Sequence, residues 1–279
     1  MRPILFLSML ALSACAAERH GADEPKASTL DELANRPAQS AKPAAKPVKT
    51  EAAHHVPPGP APLEALTRLS AGNARFATGQ RNRSALASDD AAERSALAGG
   101  QQPFAAILTC ADSRVPPELL FDQSLGDLFV VRNAGNVAEP VGGGSLEYAI
   151  EHLGVRLVIV LGHGSCGAVK AVTGSEGTLP GQLVAIQRAM PGLREFALDQ
   201  GKGGASAPAV IAAAVERNAA AQATALINAS EVLRKAVGSG DVAVVPAVYD
   251  LTSGVVGFLP PTRSAKPAEA AAPAARSSH

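Results

Sequence analysis

Residues 155–161, VRLVIVL, run directly into the glycine-rich segment GHGSCG at 162–167. An apolar run this dense in β-branched residues predicts a strand buried on both faces. A strand of that kind needs a parallel sheet with helices on each side. The neighbouring sequence agrees. Further strands are predicted over 104–108, 128–131, 241–248 and 255–259. Leu63, Leu66, Leu69 and Phe76 share helical spacing and predict an amphipathic entry helix. Helices are also predicted over 86–97, stopped by Gly99-Gly100, over 145–152, stopped at Gly154, and from Gly167 through Val172. A long helical tract, divided by caps, is expected over 205–237. The expected class is α/β: a mostly parallel central sheet flanked by helices, with an N-terminal helical arm. No internal repeat is visible.

The ends of the chain read differently. Met1 to Ala16 carry a single cation at Arg2, an apolar stretch from Ile4 to Leu12, and then small residues, the layout of an export signal. Leu12-Ser13-Ala14-Cys15 resembles the bacterial lipobox, which would make Cys15 a lipidation site; ordinary cleavage at Ala14-Cys15-Ala16 is the alternative. Ala16 after that cysteine favours the outer membrane, by resemblance to Gram-negative lipoproteins. The expected location is therefore periplasmic, with membrane contact only through the anchor. Residues 17–60 are rich in Ala, Pro and Lys and predict an unstructured tether. His54-His55 within it reads as a solvated pair. Residues 261–279 form a similar Ala/Pro tail, leaving 61–260 as the folded domain. Lys plus Arg and Asp plus Glu both total 25, which argues against a nucleic-acid partner bound through a basic excess. No interior apolar run reaches the length of a membrane span.

Three cysteines cannot build a disulfide scaffold. Two of them fall where chemistry is expected. Cys110-Ala111-Asp112-Ser113-Arg114 follows the strand predicted at 104–108, and Gly162-His163-Gly164-Ser165-Cys166-Gly167 follows the strand at 155–161. Sites in parallel sheets form beyond the carboxyl ends of strands. If both strands are central, Cys110, Asp112, His163 and Cys166 converge. Two thiolates and an imidazole suit tetrahedral Zn²⁺ and leave a fourth position for water. Asp112 could fill that position or hydrogen-bond its occupant, and Arg114 could hold Asp112 ionised. A Cys110–Cys166 disulfide, or two small core cysteines, are the competing readings.

CADSR at 110–114 and GHGSCG at 162–167 resemble the zinc motifs of the β-class carbonic anhydrases. The likeness continues through 65–79, 100–136, 144–171 and 249–259. It implies one Zn²⁺ per subunit on Cys110, His163 and Cys166. It also implies attack of a zinc-bound hydroxide on CO₂ to give bicarbonate and a proton, with Asp112 and Arg114 as the catalytic pair. Gln101, Phe129, Ala134, Tyr148 and Gly167 match substrate-contacting positions. Part of that pocket comes from a neighbouring subunit, so a homodimer or higher homo-oligomer is expected. Arg132 and Tyr249 match two positions of a noncatalytic bicarbonate pocket, but the Trp that pocket needs is Ile107 here. An open site with water as fourth ligand is therefore expected, Asp112 being a possible ligand only in a closed state. His152 reads as structural or superficial. Carbon disulfide or carbonyl sulfide hydrolysis, and a nonenzymatic anchored zinc protein, are the alternative functions.

Overall fold

Five strands lie side by side in the order β2-β1-β3-β4-β5: β1 (Ala105–Cys110), β2 (Leu128–Asn133), β3 (Leu157–His163), β4 (Ala243–Tyr249) and β5 (Val256–Phe258). The first four are parallel, and β5 pairs antiparallel with β4. The computed structural model describes residues 57–82 and 91–262. Cys15, the export signal, the tether through residue 56 with His54-His55, and the tail from 263 lie outside the described residues, as does the first part of the helix predicted over 86–97.

Nine helices are described: α1 (Pro62–Ala77), α2 (Ala91–Leu97), α3 (Pro117–Leu120), α4 (Pro140–Leu153), α5 (Gly167–Gly174), α6 (Leu183–Arg188), α7 (Leu193–Lys202), α8 (Ala207–Ala229) and α9 (Glu231–Ser239). Among the described residues no helix is long and apolar enough to cross a membrane.

Period-two alternation sorts the strand side chains onto two faces. Ala105, Ile107, Leu157, Ile159, Leu161, Val245 and Ala247 face Ala65 and Leu69 of α1 and Leu120 of α3. Ala106, Leu108, Val158, Val160 and Val244 face α4, the second half of α8, and α9. A third cluster forms beyond the strand ends. There Cys110 and Cys166 sit with Val169 and Val172 of α5, Met190, Leu193 of α7, and Ala214 and Val215 of α8. The chain leaves β1 towards β2 on one side and leaves β3 towards β4 on the other. The crevice between β1 and β3 is therefore the switch point at which open α/β sheets place ligands.

Several elements differ from expectation for physical reasons. Strands β1 and β3 run two residues further than predicted, so Cys110 and His163 are strand residues rather than loop residues. Helix α4 starts at Pro140, five residues early, because Glu139 caps it. Its carboxylate accepts from Val141 N at 3.0 Å and Gly142 N at 2.7 Å, which overrides three consecutive glycines. The long helical tract breaks at Ser230, whose hydroxyl accepts from Leu233 N at 3.0 Å and starts α9.

The entry helix keeps most of its expected stripe, with Leu69 buried and Leu66 and Phe76 packed against the core, but it buries small residues beside that stripe and leaves Leu63 outside. Its buried residues are Ala65, Leu69, Gly72 and Asn73, while Leu63 is 75% exposed. Close packing explains the choice. A Cβ at Gly72 would stand 1.8 Å from the carbonyl oxygen of Phe121. Asn73 then ties three segments together. Its amide donates to Leu120 O at 3.1 Å and Gly254 O at 2.9 Å, and its oxygen accepts from Val256 N at 2.8 Å. Replacing Asn73 with Leu strands all three backbone groups. We expect Asn73→Leu to lower unfolding stability by about 2–4 kcal/mol in urea denaturation. A change within a few tenths of a kcal/mol would contradict this reading of α1.

Candidate metal centre and active site

Each donor of the centre is fixed by a different piece of backbone. Cys110 ends β1, His163 ends β3, and Cys166 is the N-cap of α5. The two sulfurs are 4.0 Å apart, and both lie within 4.8 Å of a His163 ring nitrogen. Both cysteines are free thiols, so the disulfide alternative is not realised.

His163 carries the strongest indication of what belongs here. The ring is fully buried. Its Nδ1 lies 3.0 Å from the carbonyl of Gly164, a contact that selects the Nδ1–H tautomer. Nε2 is then a bare acceptor, and it has no hydrogen-bond partner. Buried polar atoms are rarely left so. An imidazole lone pair beside two thiols, with its other nitrogen anchored on a backbone carbonyl, is the donor set and outer support of a zinc site. The residues present fit zinc.

The sulfur environment favours anions. The Cys166 thiol, donating to the Cys110 sulfur, lowers the pKa of Cys110 to about 4 against the opposing effect of burial, with further bonds from the Gly135 and Asp112 backbone. The N–H of Gly135 reaches that sulfur at 3.3 Å. The same Cys110 contact and burial push the Cys166 thiol up, although the Val169 and Ala168 amides at the start of α5 oppose this. Without metal, the pair thus shares one proton.

Asp112 lies beside this cluster and is held apart from it. Arg114 donates from Nε to Oδ1 at 2.9 Å and from a terminal nitrogen to Oδ2 at 2.7 Å, and its backbone N–H adds 3.0 Å to Oδ1. These bonds hold the Asp112 carboxyl well below the usual carboxylate range. Oδ2 is 3.8 Å from His163 Nε2. Arg132 braces the turn from behind, donating to Cys110 O at 3.1 Å and Asp112 O at 2.6 Å. Its guanidinium is thereby engaged on backbone. Tyr249 is buried, with its ring 6.4 Å from that of Phe76, and Ile107 lies in the core.

The remaining expected site residues divide into two groups. Ala134 lies next to Gly135 on the loop that touches Cys110, and Gly167 opens α5 beside Cys166. Gln101 is exposed ahead of β1. Phe129 pairs with Ala106 in the register, four residues before the Cys110–Asn133 end, and packs on the α4 side of the sheet. Tyr148 is 49% exposed on α4, its ring 5.0 Å from His152. A single chain therefore assembles the donors, Asp112, Arg114, Ala134 and Gly167, but does not bring Phe129 or Tyr148 to them. The sequence reading missed Arg132 as a brace and missed Asn218 and Gln222. Both of these amides are buried on α8 and bonded to the 133–138 loop. Only their helical spacing towards a core face could have pointed to them.

The sequence profile of the family described as carbonic anhydrase matches residues 105–256, more than half of the chain. The chain belongs to the carbonic anhydrase family. Carbonic anhydrase 2 of Mycobacterium tuberculosis is 38% identical over 204 residues, covering 71% of this chain and 92% of that protein. Among solved structures, the β-carbonic anhydrase of Coccomyxa in complex with acetazolamide is 30% identical, with a TM-score of 0.56 over 64% of this chain and 82% of the other. A tetrameric β-carbonic anhydrase of Sordaria macrospora, 24% identical, shares the fold at a TM-score of 0.57, covering 63% and 90%. This carbonic anhydrase is thus of the β class, it hydrates CO₂, and its cofactor is zinc.

The shared proton gives a pH prediction for metal-free protein. Because the folded value of Cys110 is depressed, its charge is present from neutral pH downwards and is lost as pH falls towards about 4. Ultraviolet thiolate absorbance equivalent to one sulfur per chain should persist well below the ordinary thiol range. Absorbance appearing only as pH rises through that ordinary range would contradict the geometry.

Proposed function

We propose that Asp112, fixed by Arg114, is the catalytic group that orients the attacking water in reversible CO₂ hydration. The observation that carries this reading is the two-point Arg114 clamp, which keeps Asp112 anionic beside the unpartnered Nε2 of His163. Zinc, held by Cys110, His163 and Cys166, makes water acidic enough to act as hydroxide near neutral pH. Asp112, which has no proton to give, can only accept a hydrogen bond there. Accepting the O–H of the attacking water turns the free lone pair of that oxygen towards CO₂. Arg114 uses both its forks on Asp112 and so prevents the carboxylate from swinging to the metal. This supports an open fourth position. Ala134 and Gly167, small residues at the rim, leave room for a linear substrate.

Phe129 and Tyr148 stand away from the donors of their own chain. We infer that a second copy of the chain brings them to the pocket, so that the working unit is at least a homodimer, as the tetrameric assembly of the Sordaria relative supports. We also propose that the enzyme is exported and anchored by a lipid on Cys15, on the strength of the LSAC segment. Anchoring would hold it in the periplasm at the outer membrane.

Stopped-flow CO₂ hydration of wild type and Asp112→Ala, with zinc measured on the same samples, tests the mechanism. The variant should retain zinc and lose about 100-fold or more in kcat/KM. Unchanged hydration would remove Asp112 from the mechanism. For the anchor, wild type made with its signal should enter the detergent phase on partitioning and Cys15→Ser should not; equal partitioning would sink the lipid assignment.

A further inference from the structure

Helix α8 buries two amide side chains, Asn218 and Gln222, each 2% exposed, where the surrounding helix is almost entirely apolar. Desolvating amides is unfavourable unless every polar atom is paired, and here their bonds run to one place. Asn218 Nδ2 donates to Gly135 O at 2.9 Å. Gln222 Nε2 donates to Asn218 Oδ1 at 3.1 Å and to Ala189 O at 2.7 Å, and Gln222 Oε1 accepts from Ala138 N at 2.9 Å. The two amides thus grip residues 135–138 at both ends and tie them to the segment preceding Met190. Met190 completes the grip, because its Cε would lie 2.3 Å from a Cβ at Gly135, whose φ is 81°. What this fixes in space is the Gly135 N–H, which donates to the Cys110 sulfur.

We propose that Asn218 and Gln222 are positioning residues for the metal centre. By holding the Gly135 N–H on Cys110 Sγ they set how strongly that thiolate binds zinc. A hydrogen bond to a ligating sulfur withdraws electron density from it and fixes its direction. Outer partners of this kind govern both metal affinity and the behaviour of the bound metal. The assignment rests on Cys110 being a zinc ligand, as the proposed mechanism also requires.

The test compares zinc binding by wild type, Asn218→Leu and Gln222→Met, each as the full folded domain with its termini. Gln187→Leu serves as control. It removes a partly buried amide whose bonds run to Leu179 N, Ser175 Oγ and Gly177 O rather than to residues 135–138. Zinc dissociation constants come from chelator competition. The thiolate-to-metal charge-transfer band of the cobalt-loaded forms reports the sulfur directly. We expect Asn218→Leu and Gln222→Met to weaken zinc binding roughly 10- to 100-fold and to shift the band, with Gln187→Leu matching wild type in both. Wild-type affinity and band in folded Asn218→Leu would overturn the proposal, as would an equal loss in Gln187→Leu, which would mark a merely structural effect. Should neither α8 variant fold, hydrogen exchange of the wild-type Gly135 amide decides. Slow exchange that depends on the metal supports the proposal, and fast exchange in the loaded protein overturns it. Failure of wild type to bind one zinc per chain would instead defeat the underlying site assignment.

Discussion

The parallel register of β1 on β3 sets everything else in this molecule. Thr109 pairs with Leu161, and its hydroxyl donates to the Leu161 carbonyl at 2.9 Å across the two strands. One residue beyond Thr109 is Cys110, and two beyond Leu161 is His163. A one-residue slip would move one donor a residue's rise along its strand, away from the other, and turn that strand's side chains over. The buried alternation of the two strands forbids that slip, since each would then present its whole set of core side chains to the wrong helices. The same lattice extends outward. Cys110 pairs with Asn133 of β2, which starts the loop carrying Gly135, and His163 pairs with Tyr249 of β4. The fold therefore brings the donors to one point.

That convergence creates an electrostatic demand. Two sulfurs 4.0 Å apart cannot both be anions in a buried site without a compensating cation. The protein supplies partial compensation from neutral dipoles: the Gly135 N–H at one sulfur and the first amides of α5 at the other. A divalent cation would supply the rest and take the unpartnered nitrogen of His163. Asp112 is engaged by Arg114 instead, and Arg132 bonds the carbonyls of the same turn. Neither arginine offers a donor directly to the sulfurs. In the mechanism we propose, this division would leave one carboxylate to orient water while the thiolates hold metal.

Much of this was legible in the sequence, and the failures are instructive. The donors were legible because the spacing of CADSR and GHGSCG behind apolar runs has few other uses. The strand order was not, since no periodicity encodes which strand lies beside which. Strands were predicted too short at Cys110 and His163 because polar residues at a strand end look like loop. The stripe of α1 is legible at Leu66, Leu69 and Phe76 but incomplete, because close packing on α3 uses Ala65, Gly72 and Asn73, which carry little hydrophobic signal. The short helices α3, α6 and α7 fall in stretches where Pro, Gly and charge mask the period. Asn218 and Gln222 were invisible for a plainer reason. Their partners are backbone groups 83 and 84 residues away, in the cases of Gly135 and Ala138. Phe129 and Tyr148 were legible as candidates through resemblance alone, and one chain does not bring them to the centre.

The central claim is that Cys110, His163 and Cys166 hold the metal on which hydration depends. Titrating zinc into metal-free protein while following CO₂ hydration tests it most directly. The account predicts activity that rises in proportion to added zinc and stops rising at one zinc per chain. It also predicts that Cys166→Ser neither holds that zinc firmly nor gains activity. Hydration by protein proven free of metal, or none from protein carrying one zinc per chain, would contradict it.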